Sequence, residues 1–197
     1  NGGFESGLQP WTVAIVNDGQ ASATVTIDSS TASEGLSSAR IAVARPGTAN
    51  WHIGLIQPAL SLTGASLYQL QFWARADSTR TIAVQAQSGP PNLPVNGLDR
   101  SFQVDSSWKL YSASFAAPVS ASDARIQFFF GEAGTYWVDG VTLIVPPRQV
   151  YRRDFTKGVV LLNGDKDAQT IALESGFRRF EGAQAPRYQY IIDDAGT

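Results

Sequence analysis

Glutamines and flat rings share one parity in three short stretches of this 197-residue chain. Over residues 68–75, alternation puts Tyr68, Leu70, Phe72 and Ala74 on one face, and Gln69, Gln71, Trp73 and Arg75 on the other. Residues 81–87 separate Ile82, Val84 and Ala86 from Ala83, Gln85 and Gln87, and residues 125–130 separate Ile126, Phe128 and Phe130 from Gln127 and Phe129. A solvated sheet face favours Thr, Lys and Glu, which keep it soluble and block edge pairing. Amides and rings suit a different task. A glutamine donates to and accepts from hydroxyl groups at once, with no charge to desolvate. A planar ring offers its face to the C–H side of a sugar, and in the related stacking of nucleobases such platforms contribute ~1–3 kcal/mol each. Trp73, Gln85, Gln87, Gln127 and Phe129 are therefore candidate sugar contacts. The alternative leaves the glutamines in plain solvent and uses Trp73 and Phe129 to fill gaps under loops.

Catalytic chemistry finds less support. Hydrolysis of a glycosidic bond needs two carboxylates ~5–9.5 Å apart in a cleft. Asp18, Asp28, Asp77, Asp99, Asp105, Asp123, Asp165 and Asp167 read mostly as turn residues, and Glu132, after Gly131, reads as a hydroxyl acceptor at a cleft edge. The chain has 1 His, His52, and no Gly-x-Ser-x-Gly elbow to pair with it. Cys is 0, which removes disulfides, thiolate zinc sites and cysteine nucleophiles. No glycine-rich phosphate loop is present. The sequence does not read as an enzyme by itself.

The elements that must position these residues are short and regularly spaced. Alternating runs at 11–16, 39–43, 51–56, 68–75, 81–86, 108–115, 125–130 and 136–145 read as strands, with turns at Pro46-Gly47, Gly64, 88–91, Asn96-Gly97 and Gly131. No capped amphipathic helix interrupts them, so the fold class is all-β, an antiparallel sandwich. A hydrophobic fraction of 43% with 11% aromatics supplies its core. Pro146-Pro147 marks a boundary between a module over 1–147 and a β-strand extension over 148–197, with strands expected at 150–155, 158–162, 170–173, 177–180 and 188–192. The extension is too short for a full core of its own, so it packs on the module or ends a neighbouring domain. With 15 basic against 17 acidic residues and a net charge of −2, neither nucleic acid nor an anionic membrane is an expected partner. A chain that starts at Asn1 and holds no Met reads as an excised piece of something larger.

An ordered series of motifs carries a resemblance. It runs from Asn1-Gly2-Gly3-Phe4-Glu5 and Trp11 through Ser37-Ser38-Ala39-Arg40-Ile41, Trp51 and Gln57 to 68–76 and Arg80-Thr81-Ile82. Trp108-Lys109-Leu110-Tyr111, 124–128 and Tyr136-Trp137-Val138-Asp139-Gly140-Val141 complete it. Residues 1–145 resemble a carbohydrate-binding module of the type grouped in families 4, 9 and 22. The resemblance implies a jelly-roll β-sandwich whose concave sheet grips single glycan chains of the β-glucan or xylan type. It also implies a non-catalytic role, tethering a covalently linked glycoside hydrolase to oligosaccharide or polysaccharide outside the cell or in the periplasm. Family binding positions fall on Trp51, near Arg80 and on Gln127. A structural Ca²⁺ is implied as well, with Glu5 and Asp139 at ligand positions and Glu34 or its loop as a third contribution; Gly140 departs from the commoner Asp-Asp pair. The segment from Val150, with Tyr151-Arg152-Arg153-Asp154-Phe155 and 158–163, is similar to the terminal β-domain of certain barrel-type glycoside hydrolases. Two other readings stand beside this one: a fragment of a catalytic hydrolase, and a structural adhesion sandwich that binds proteins.

Overall fold

The computed structural model describes residues 1–16, 20–145, 150–156, 158–164, 170 and 176. It divides into two compact units, Asn1–Pro146 and Pro147–Thr197. In the first, ten strands run in chain order: β1 Thr12–Ile15, β2 Ser22–Asp28, β3 Ser38–Arg45, β4 Ile53–Leu62, β5 Leu67–Ala76, β6 Arg80–Gln87, β7 Val95–Val104, β8 Lys109–Ala116, β9 Ala121–Phe129 and β10 Gly134–Ile144. All pairings are antiparallel, and they build two five-stranded sheets. The first sheet has the order β1-β4-β9-β6-β7, the second β2-β3-β10-β5-β8. Consecutive strands swap sheets repeatedly, as a jelly-roll sandwich requires.

The expected inward residues meet between the sheets. Ile82, Val84, Ala86, Ile126 and Phe128 come from the first sheet, and Leu70, Phe72 and Ala74 from the second, where Ile41 and Val138 join them. Phe72 and Phe128 lock the two layers with an edge-to-face contact at 5.0 Å, and Trp11 extends the stack to Phe128 at 5.9 Å. Burying side chains of this size contributes ~1.5–3 kcal/mol each, so this aromatic seam holds the layers in register.

Two strands escape the sequence pattern. β2, Ser-Ala-Thr-Val-Thr-Ile-Asp, is a half-buried edge whose Ala23, Val25 and Ile27 pack on the core. β7 runs through the expected turn at Asn96-Gly97. Asn96 is buried there and clamps the β8–β9 loop, its Nδ2 donating to the Val119 carbonyl at 3.1 Å while its Oδ1 accepts from Val119 N–H at 3.3 Å. Gly97 holds φ +95 in the left-handed region, and a Cβ there would collide with the Ala116 carbonyl oxygen. The pair therefore serves a close approach between sheets instead of a chain reversal.

The second unit contains an antiparallel hairpin of β11 Val150–Phe155 and β12 Gly158–Asn163, paired from Val150↔Asn163 to Phe155↔Gly158. The strands expected at 170–173, 177–180 and 188–192 lie outside the described residues, Thr170 apart.

Candidate functional site

The outer face of the first sheet carries the amides. Register places Thr12, Ile56, Gln127, Gln85 and Asp99 in one transverse row. Ala14, Gly54, Phe129, Ala83 and Ser101 form the next, while Gln87 stands opposite Arg125. Three glutamines are joined into a relay: Gln127 Nε2 donates to Gln87 Oε1, and Gln87 Nε2 donates to Gln85 Oε1 at 2.7 Å. Gln127 is only 5% exposed and forms the floor, while Gln85 and Gln87 are half-buried and reachable. A buried amide must find partners, and this relay satisfies one with the next.

The rings divide differently from the expectation. Trp51 belongs to a short 3-10 turn, Asn50–His52, rather than to a strand, and it is 51% exposed. Its ring meets His52 edge-on at 4.3 Å, so a buried imidazole braces an open indole at the head of β4. Phe129 shares the amide face but is 5% exposed, its ring lying against Gly54. It is part of the floor, and its expected role as a stacking platform is corrected accordingly.

Trp73 is not on this face at all. β5 belongs to the second sheet, so its outward residues point away from the opposite side of the sandwich. There Trp73 Nε1 donates to Glu34 Oε1 at 3.2 Å. Trp137 and Trp108 behave alike, donating to Asp28 at 2.9 Å and Thr31 at 3.1 Å. Three indoles thus fasten the end of β2 and the loop that leads from it to β3.

Arg80 also stands apart from the amides. It shares the parity of Ile82 and leaves at the start of β6, where Nε pairs with Asp77 Oδ1 at 2.7 Å. Asp77 Oδ2 accepts from Thr135 N–H at 2.9 Å. Burial works against the Asp77 charge, but Arg80 and Thr135 outweigh it and hold this carboxyl below its ordinary range. The arginine is a fastener between β6 and β10.

Glu5, Glu34 and Asp139 surround the same strapped loop. Glu5 Oε1 accepts from the N–H groups of Leu36 and Ser37, both at 3.0 Å. Asp139, fully buried, accepts from Ser33 at 2.8 Å and Glu34 at 2.9 Å on Oδ2, and from Gly140 at 2.7 Å on Oδ1. Gly140 holds φ +54, and a Cβ there would press on Trp73 and Glu34. Burial, and then the Glu34 charge, push the Asp139 carboxyl above its usual range against those N–H groups. Among the described residues, no three His, Cys, Asp or Glu side chains are gathered into a group that could hold a metal ion. The oxygen donors are of the kind a hard cation takes.

Asp99 is the residue that sequence alternation missed. It was expected in a turn, yet β7 sets it directly opposite Gln85. The spacing of Leu98, Phe102 and Val104, all facing inward, is the signal that marks this strand.

Comparison with known proteins agrees with this fold. The family model described as a carbohydrate binding domain, CBM_4_9, matches residues 1–135. A solved structure described as "CBM4 structure and function" is 25% identical, with a TM-score of 0.58 over 71% of this chain and 89% of that one. TmCBM61, solved with β-1,4-galactotriose, is 22% identical at a TM-score of 0.51, covering 74% of this chain and 95% of that one. The CBM22-1–GH10 modules of Clostridium thermocellum xylanase 10B, solved with xylohexaose, are 16% identical at 0.55, covering 73% and 27%. The last two share the fold. No curated protein matches the chain. A match across the first unit, together with two antiparallel sheets in jelly-roll order, makes this chain a member of the CBM_4_9 family of carbohydrate binding domains.

Proposed function

We propose that the first unit binds single chains of a β-glucan or xylan type polysaccharide across the outer face of the first sheet, without cleaving them. The observation that carries this reading is the amide relay Gln127–Gln87–Gln85 on the first sheet, with the exposed Trp51 in the turn that leads into β4 of that sheet. The relay satisfies the buried floor internally and leaves reachable amides for sugar hydroxyls. Trp51 supplies the stacking surface. Binding of this kind is moderate, roughly −5.5 to −8 kcal/mol, because sugars and amides must both shed water.

In the same proposal, the unit delivers a covalently linked hydrolase to its polymer outside the cell or in the periplasm, where such polymers lie. A structural Ca²⁺ is its second ligand. Glu5, Glu34 and Asp139 would hold the ion, and it would pin the loop between β2 and β3 to β10.

Affinity electrophoresis and titration calorimetry of the full chain with soluble mixed-linkage β-glucan and xylan test the reading. Retardation and saturable heat with at least one polymer are expected. A chain that ignores every polymer tried would overturn it.

A further inference from the structure

β7 brings a charged group to the amide face. Asp99 is the direct cross-strand partner of Gln85, which is in turn the partner of Gln127. Residues paired in this way project from the same face with Cβ atoms about 4.5–5.5 Å apart. Leu98 and Phe102 of β7 pack inward opposite Ala86 and Ile82, so Asp99 and Ser101 turn outward beside Gln85 and Ala83.

Asp99 is exposed, and among the described residues nothing bonds or ion-pairs with it. The cation of the same face, Arg125, stands opposite Gln87 on β9. It is one row along and two strands away, roughly 12 Å by standard strand spacing, and does not neutralise Asp99. Arg100, the next residue in the chain, has the opposite parity. The relay runs toward this spot. Gln127 donates to Gln87 and Gln87 to Gln85, so Gln85 ends the series with its own N–H groups uncommitted among the described residues. A two-oxygen acceptor and an amide donor therefore sit side by side at the β7 margin of the amide face.

We infer that Asp99 is a specificity-determining contact that accepts from two adjacent hydroxyls of one sugar while the Gln85 amide donates to the same sugar, selecting neutral chains over acidic ones. The inference rests on the polysaccharide reading above. A carboxylate has two acceptor oxygens and no donor, which matches a vicinal diol, and its bonds to hydroxyls are charge-assisted and strong. A uronate or carboxymethyl group brought to the same place meets an unneutralised like charge.

The test compares the full wild-type chain with Asp99→Asn, which keeps the shape and removes the charge. Both are titrated with mixed-linkage β-glucan, xylan and carboxymethylated β-glucan. The expected result is a 5- to 50-fold loss on the neutral polymer that the wild type binds, and a smaller neutral-over-carboxymethyl preference, at unchanged melting temperature. Asp99→Ser serves the same comparison should the first variant not fold. A variant that keeps neutral affinity within twofold, together with the wild-type preference, overturns the inference and leaves the polysaccharide reading intact. A wild type that binds no polymer overturns both.

Discussion

Glu34 Oε1 accepts the indole N–H of Trp73 at 3.2 Å, and the same loop is held by Trp108 at Thr31 and, at the end of β2, by Trp137 at Asp28. Asp139 and Glu5 grip its backbone from below. Three of the 5 tryptophans of the chain are thus spent on one connection of the second sheet, away from the amide face. This division of labour sets two tryptophan substitutions against each other.

Trp73→Phe removes one indole donor from a partly exposed site. A cost of about 0.5–1.5 kcal/mol in folding stability is expected, with glycan affinity unchanged. Thermal or denaturant unfolding beside calorimetry measures both; a loss of affinity without a loss of stability would place Trp73 in the binding site after all.

Trp51→Ala should do the reverse. The ring is half open to solvent, so its removal leaves the core intact and the melting temperature within a degree or two. Loss of a stacking platform costs about 1–3 kcal/mol of binding, roughly a 5- to 150-fold weaker complex. Unchanged affinity would remove the ring from the site.

Acid should act through Asp77. Its folded carboxyl lies below the ordinary range, so its contribution is present above the unfolded pKa near ~4 and is lost as pH falls through the folded value. The pair with Arg80 is substantially open to water, and screening limits its worth to about 0.5–1 kcal/mol. Asp77→Asn should therefore be slightly less stable at pH 7 and less sensitive to acid. Urea midpoints from pH 7 down to pH 2.5 that fall in parallel for both proteins would contradict this. Asp139 works in the opposite sense: its raised carboxyl favours the fold more in acid, and its share declines as pH climbs toward the folded value.

Calcium is tested by melting the protein with the ion and with a chelator. An ion bound only by the folded state at a hundredfold excess over its dissociation constant adds about 2.7 kcal/mol. For a chain of this size that is roughly 5–10 °C. The shift should vanish in the Glu5→Gln, Glu34→Gln double variant. Equal melting temperatures in calcium and chelator for the wild type would dismiss the ion.

Alternation made much of this architecture legible. It separates Ile82, Val84 and Ala86 from Gln85 and Gln87, and Ile126 and Phe128 from Gln127, because each strand turns one face to the core between the sheets. Parity says inward or outward; it does not say which sheet a strand joins. Trp73 therefore joins the glutamines on paper while β5 stands in the opposite layer. Arg80 shows a second limit, since a residue at a strand end can turn to a neighbouring carboxylate instead of following the face. β7 is obscured by Asn96-Gly97, a pair that commonly makes a turn and here makes a clamp and a close approach. Asp99 is hidden with it. Phe129 has the expected direction, but covering by its neighbours, which no local pattern encodes, withdraws it from solvent.

The central claim is that the first sheet, and not the second, receives the glycan. Nitrogen-15 spectra of the full chain during titration with β-glucan or xylan oligosaccharides read this directly. The account predicts that the Trp51 indole and the side-chain amides of Gln85, Gln87 and Gln127 shift in a saturable way, while the Trp73 and Trp137 indoles stay still. Shifts centred on Trp73 and Trp137, with the glutamine amides silent, would contradict it.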